Sequence, residues 1–95
     1  YGAYGGSKIL ATGLTRGWGK MFAADGITIN GIAPGPVATE MSNWHEGDSM
    51  KCARIPYGRF VTIDEIAGLA MYLLDEKAKM VCGETVIIDG AYSIR

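Results

Sequence analysis

Metal ligands, disulfide partners and prolines are all scarce in this sequence. It holds one histidine, two cysteines and three prolines in 95 residues. Cys52 and Cys82 lie far apart and match no metal or redox spacing, so two reduced structural thiols are expected, with a disulfide as the alternative. His45 has Glu46 and Asp48 beside it, but no second ligand pair follows at a metal-like spacing. A solvated loop histidine, and no metal site, is the reading. Surplus charge is also missing: nine basic residues against ten acidic give a net charge of −1, scattered along the chain. With no basic stripe to neutralise phosphates, nucleic acid is not an expected partner. No apolar run approaches the roughly 18 residues of a membrane-spanning helix, and no signal-peptide pattern opens the chain. No membrane association and a cytoplasmic location are therefore expected. The glycine-rich GxGxxG turn is absent too, since the glycines at 2, 5, 6 and 13 do not follow a strand.

Apolar residues and glycine, by contrast, are plentiful. The hydrophobic fraction is 48%, and the 14 glycines are about twice the usual share of roughly 7%. They follow no collagen period, so they point to tight turns and close backbone packing. This length makes one small domain or a piece of a larger one.

From Ser7 to about Ala24 the spacing is helical, with Leu10, Leu14, Trp18, Met21 and Phe22 on one side and Thr12, Arg16 and Lys20 on another. Gly13 and Gly17 share a face of this helix and suggest a neighbour packed closely against it. Asp25-Gly26 stops it, Gly26 suiting a left-handed C-terminal position. Ile27 to Ala33 reads as a short buried strand, turned by Pro34-Gly35-Pro36. Residues 42–57 have no clean period and read as a long excursion of the kind that carries function or forms a lid. Thr62-Ile63-Asp64-Glu65 is a capping box. It opens a helix with Ile66, Ala70, Leu73 and Leu74 on one face, ending near Asp75-Glu76-Lys77. Thr85 to Ile88 is a second buried strand, stopped by Asp89-Gly90. Helices between continuous apolar strands argue for a parallel α/β sheet. Two strands are too few for such a sheet, so the chain reads as the C-terminal part of a larger α/β domain.

Tyr4 and Lys8 stand four apart near the start of the first helix, where positions i and i+4 share a face. A neighbouring ammonium favours the phenolate and lowers the phenol pKa toward the range of useful proton transfer. A chance pairing gives the same pattern, and this spacing alone does not decide between them.

Several segments together resemble the short-chain dehydrogenase/reductase family. Tyr4-Gly5-Gly6-Ser7-Lys8 matches its YxxxK motif. The stretch from Gly26 to Met41 is similar to the strand and Pro-Gly turn that follow the active-site helix. Arg54-Ile55-Pro56-Tyr57-Gly58-Arg59 with Asp64-Glu65-Ile66-Ala67 resembles the approach to the last helix, and Gly83 to Ala91 the final strand. The resemblance covers essentially all 95 residues, and within the family it is nearest in look to 3-oxoacyl-acyl-carrier-protein reductases and sugar or polyol dehydrogenases. It implies an α/β fold, the C-terminal part of a Rossmann-like doubly wound parallel sheet, with residues 1–95 as that portion of one domain.

The resemblance also implies roles. Tyr4 would be the general acid and base, and Lys8 would hold the nicotinamide ribose and lower the Tyr4 pKa. Pro34, Gly35 and Val37 would place backbone beside the nicotinamide of NAD or NADP, with Thr39 offering its hydroxyl to the carboxamide or phosphates. Gly35 is expected there because a ligand approaches the backbone closely. Trp44, Met50 and Tyr57 would wall a pocket for a small carbonyl or alcohol substrate. The helix and final strand would build a homodimer or homotetramer. The family's phosphate-binding half and the choice between NAD and NADP precede the tyrosine. Two accounts follow: the C-terminal part of a full-length oxidoreductase, or a truncated, inactive piece that self-associates.

Overall fold

The structure is a computed structural model that describes residues 2–37 and 53–94, with side chains from residue 8 onward. Its elements are helix α1 (Gly2–Ala23), strand β1 (Gly31–Pro34), helix α2 (Ile63–Leu73), a 3-10 turn (Glu76–Ala78) and strand β2 (Thr85–Ile88). β1 and β2 form a two-stranded sheet. The Gly31 N–H donates to Glu84 O at 2.8 Å and the Gly35 N–H to Ile88 O at 3.0 Å. Both strands advance by the same step between these bonds, so they run parallel. The α/β reading therefore holds. The chain divides into two compact units, Tyr1–Gly31 with Tyr72–Val86, and Ile32–Met71 with Ile87–Arg95.

In the first unit, α1 begins at Gly2, earlier than the expected Ser7, and runs 22 residues. Lys20 in its last turn complements the negative end of the helix dipole. Its end is a Schellman motif. The Ile27 N–H donates to Phe22 O and the Gly26 N–H to Ala23 O, with Gly26 at φ +74°. The expected apolar stripe exists but lies open, Leu10, Leu14, Trp18 and Met21 all being exposed.

The close approach on α1 is at Gly19, not at Gly13 or Gly17. Among the described residues nothing lies within 4 Å of where a Cβ would stand at Gly13 or Gly17. At Gly19 a Cβ would lie 2.5 Å from the Gly83 amide nitrogen and closer still to Gly83 Cα. Two glycine backbones meet there, and the partner comes from far along the chain.

β1 begins at Gly31 rather than at Ile27. Its neighbour accounts for the delay: Gly83 sits at φ +74°, outside the strand region, so a regular ladder starts only at Thr85. Before that point Asn30 substitutes for strand pairing. Its Nδ2 donates to Val81 O at 2.7 Å, its Oδ1 accepts the Glu84 N–H at 3.1 Å, and the Gly83 N–H donates to Ile29 O at 2.7 Å. The 3-10 turn is capped by Asp75, whose carboxylate accepts the Lys77 N–H at 2.8 Å, and it buries Ala78. Cys82 is a free thiol, in keeping with the reduced reading, and it is exposed; Cys52 lies outside the described residues.

In the second unit, Ile55, Phe60 and Val61 form the buried apolar centre. The capping box forms as read: Glu65 N–H donates to Thr62 Oγ1 at 3.1 Å, and Thr62 N–H donates to Glu65 Oε1 at 3.0 Å. α2 ends at Leu73, which belongs to the first unit and is buried. Leu74 does not share that face; the Asp75 N–H bonds Tyr72 O in a tight turn, and Leu74 is 82% exposed. Among the described residues no helix is long and apolar enough to cross a membrane, and no cluster of His, Cys, Asp or Glu is placed to hold a metal.

Candidate active site

Positions 4 and 8 both fall within the continuous helical backbone of α1, one turn apart. Lys8 is exposed. The Tyr4 side chain lies outside what the structure describes, as do Thr39, Trp44, Met50 and His45.

Pro34, Gly35 and Val37 stand where β1 ends. Pro34 is exposed, and Gly35 spends its N–H on Ile88 O. The chain then re-engages at Val37, which pairs in parallel with Val61, the Val61 N–H donating to Pro36 O at 3.1 Å. The absence of a side chain at Gly35 has a cause within the chain. A Cβ there would stand 2.5 Å from Asp89 Cβ and 2.8 Å from Asp89 Cα. The approach of the β2 exit thus demands glycine, and no ligand needs to be invoked for it.

Tyr57 lies on the segment returning from the excursion. Its N–H donates to Gly90 O at 3.0 Å, which fixes its backbone, while the residue is 69% exposed. The Arg59 guanidinium lies 5.0 Å from the centre of the Tyr57 ring, a cation–π contact. The same guanidinium grips Glu65 through two bonds of 2.8 Å. Arg59's hydrogen bonds, and after them those of Thr62, hold the Glu65 carboxylate down at about 2, well below its ordinary range. Tyr57, Arg59, Phe60, Val61, Glu65, Ile88 and Gly90 line a cavity of about 210 Å³.

Arg59 and Asp89 received no site role from the sequence. Arg59 precedes Glu65 by too many residues for a helical pair, so their meeting follows only from the turn before α2. Asp89 is one of the few buried charges among the described residues, 8% exposed. Its Oδ1 accepts the Ala91 N–H and its Oδ2 the Ser93 N–H, each at 2.9 Å. Ser93 above all, and then the neighbouring backbone N–H groups, hold its carboxyl below the ordinary range against the opposing effect of burial. An Asp-Gly pair closing an apolar strand was the signal available for it.

Comparison with known proteins gives a consistent picture. A family model described as Enoyl-(Acyl carrier protein) reductase matches residues 1–93. The chain is 36% identical to dehydrogenase/reductase SDR family member 4 of Caenorhabditis elegans, over 98% of this chain and 38% of that protein. It is 33% identical to a 3-oxoacyl-acyl-carrier-protein reductase of Thermotoga maritima, over 96% of this chain and 38% of that one. A solved short-chain dehydrogenase/reductase from Serratia marcescens superposes with a TM-score of 0.84 at 35% identity, over 95% of this chain and 37% of its own. The chain thus spans well under half the length of these relatives.

Proposed function

The chain belongs to the short-chain dehydrogenase/reductase family, and from that premise we propose that it forms the proton-transfer end of an NAD(P)-dependent oxidoreductase interconverting a carbonyl and an alcohol. Residues 1–95 are then the C-terminal portion of one such domain. Tyr4 donates its phenolic proton to the carbonyl oxygen during reduction and takes it back from the alcohol during oxidation. Lys8, one turn further along α1, holds the ribose hydroxyls and favours the tyrosinate left behind. The backbone at Pro34, Gly35 and Val37 would hold the nicotinamide end of the cofactor, with the Thr39 hydroxyl available to its carboxamide or phosphates. Bound there, the cofactor supplies a hydride to the carbonyl carbon, or accepts one in the reverse direction. Trp44, Met50 and Tyr57 would be the residues that meet a small substrate. A homodimer or homotetramer in the cytoplasm completes the proposal.

One observation carries this reading: a single helix with Tyr and Lys at i and i+4, followed in sequence by a parallel strand that ends at an exposed Pro34 and a half-buried Gly35. The C-terminal end of a strand in an open parallel sheet is where such folds bind ligands, so the described residues fit the reactive end of a dinucleotide. They contain no glycine-rich strand-to-helix turn for its phosphates.

Tyr4→Phe in the full protein tests the assignment. Loss of the proton donor is expected to lower turnover of carbonyl substrates by about 10²–10⁴-fold with cofactor binding kept. Undiminished turnover would refute Tyr4 as the acid. A purified protein with a mass near 10.1 kDa that leaves nicotinamide absorbance unchanged would instead identify an inactive piece.

A further inference from the structure

The turn that ends β2 touches both of the described segments assigned above to cofactor and substrate. It is braced by one side chain. The Asp89 carboxylate accepts the N–H groups of Ala91 and Ser93, and the Asp89 carbonyl accepts the Tyr92 N–H at 3.1 Å. Such charge-assisted bonds are the strong ones. They hold Gly90 at φ +60° and Ala91 at φ +72°, the latter a left-handed conformation that a residue with a Cβ adopts only under constraint.

On one side this turn meets the end of β1, where Asp89 Cα and Cβ occupy the place that a Gly35 side chain would need. On the other side it meets the segment returning from the excursion. Gly90 O accepts the Tyr57 N–H, and a Cβ at Gly90 would stand 2.8 Å from Tyr57 Cβ and 3.0 Å from Ile55 Cγ2. Ile55 is 2% exposed, so that side is anchored in the apolar centre. Neither contact leaves a flexible side-chain tip to absorb movement. A close-packed interior transmits such a displacement instead of damping it.

We propose that Asp89 is a positioning residue whose carboxylate braces the β2-exit turn and thereby holds the 34–37 turn and Tyr57 in one fixed register. It sets where cofactor and substrate sit without touching either. The catalytic consequence rests on the function proposed above; the mechanical one does not.

Amide hydrogen exchange on the full protein tests the brace without catalysis. Asp89→Asn keeps the side-chain size but replaces one acceptor oxygen with an amide nitrogen facing an N–H. Exchange at the Gly35 and Tyr57 amides is expected to quicken by about tenfold, the equivalent of one weakened charged hydrogen bond, with the α2 amides unchanged. In steady-state assays KM for the nicotinamide cofactor and for the carbonyl should rise together while kcat changes less. Should Asp89→Asn fail to fold, Asp89→Ser keeps one short acceptor oxygen for these N–H groups and should quicken the same two amides. Parent-like exchange at both amides in a folded variant overturns the proposal, as does faster exchange with both KM values unmoved. Tyr4→Phe assayed alongside separates the two ideas. If it turns over normally, the proposed chemistry is wrong, while the exchange rates still decide the brace.

Discussion

Replacing Gly19 by alanine should destabilise the protein, although the same change in an exposed helix interior normally stabilises it. Alanine gains roughly 1 kcal/mol of helix propensity over glycine. At Gly19 the added methyl would press 2.5 Å from the Gly83 nitrogen and 3.4 Å from the Cys82 carbonyl carbon, backbone atoms with no rotamer to yield. Overpacking of this kind costs about 1–3 kcal/mol. Moving Gly83 also disturbs its bond to Ile29 O and the Asn30 bonds on either side, each worth about 0.5–1.5 kcal/mol. The net expectation is a loss of about 1–3 kcal/mol. Gly68→Ala in α2 is the matched control, because none of the described residues lies within 4 Å of its added methyl. It should gain up to about 1 kcal/mol. Urea denaturation of the two variants and the parent, compared by midpoint at unchanged slope, reads both numbers. A Gly19→Ala protein as stable as the parent, beside a stabilised Gly68→Ala, would refute the glycine-on-glycine contact.

Two further outcomes follow from the geometry and from the proposed assembly. Glu65 has a folded pKa of about 2 against an ordinary 4.5, so its contribution is fully present above about pH 4.5 and is lost as pH falls through about 2. Glu65→Gln should flatten that acid limb of the stability profile, modestly because both partners are half exposed to screening solvent; an unchanged limb would discount the pair. Gly13→Leu should shift the full protein to smaller species on gel filtration if the open glycine face of α1 meets a second copy, and an unchanged elution position would remove that face from the interface.

What the sequence disclosed and what it concealed divide by sequence distance. The Thr62–Glu65 capping box, the left-handed stop at Gly26 and the strand at Thr85–Ile88 were all legible, because each is decided by residues within a few positions of one another. Glycine roles were least legible where the crowding partner is remote. Gly13 and Gly17 have the regular spacing, yet Gly19 has the contact, supplied by Gly83. At Gly35 the crowding atoms within the chain belong to Asp89, far along the sequence. The same limit hid the grip of Arg59 on Glu65, which depends on how the chain turns before α2. Tyr4 and Lys8 could be paired from spacing alone; what they do depends on groups that spacing does not reveal.

Asn30 is followed by Gly31, the dipeptide whose asparagine ages fastest in an unstructured chain, by attack of the following amide nitrogen on the side-chain carbonyl. Here both reactants are occupied. The Gly31 nitrogen is turned toward Glu84 O, and the Asn30 amide is held at both ends by Val81 and Glu84. Deamidation would replace the donor to Val81 O by a carboxylate facing a carbonyl oxygen, so the product would undo the corner that had protected its precursor. Any aspartate or isoaspartate arising at position 30 would therefore report how often this corner of the protein opens.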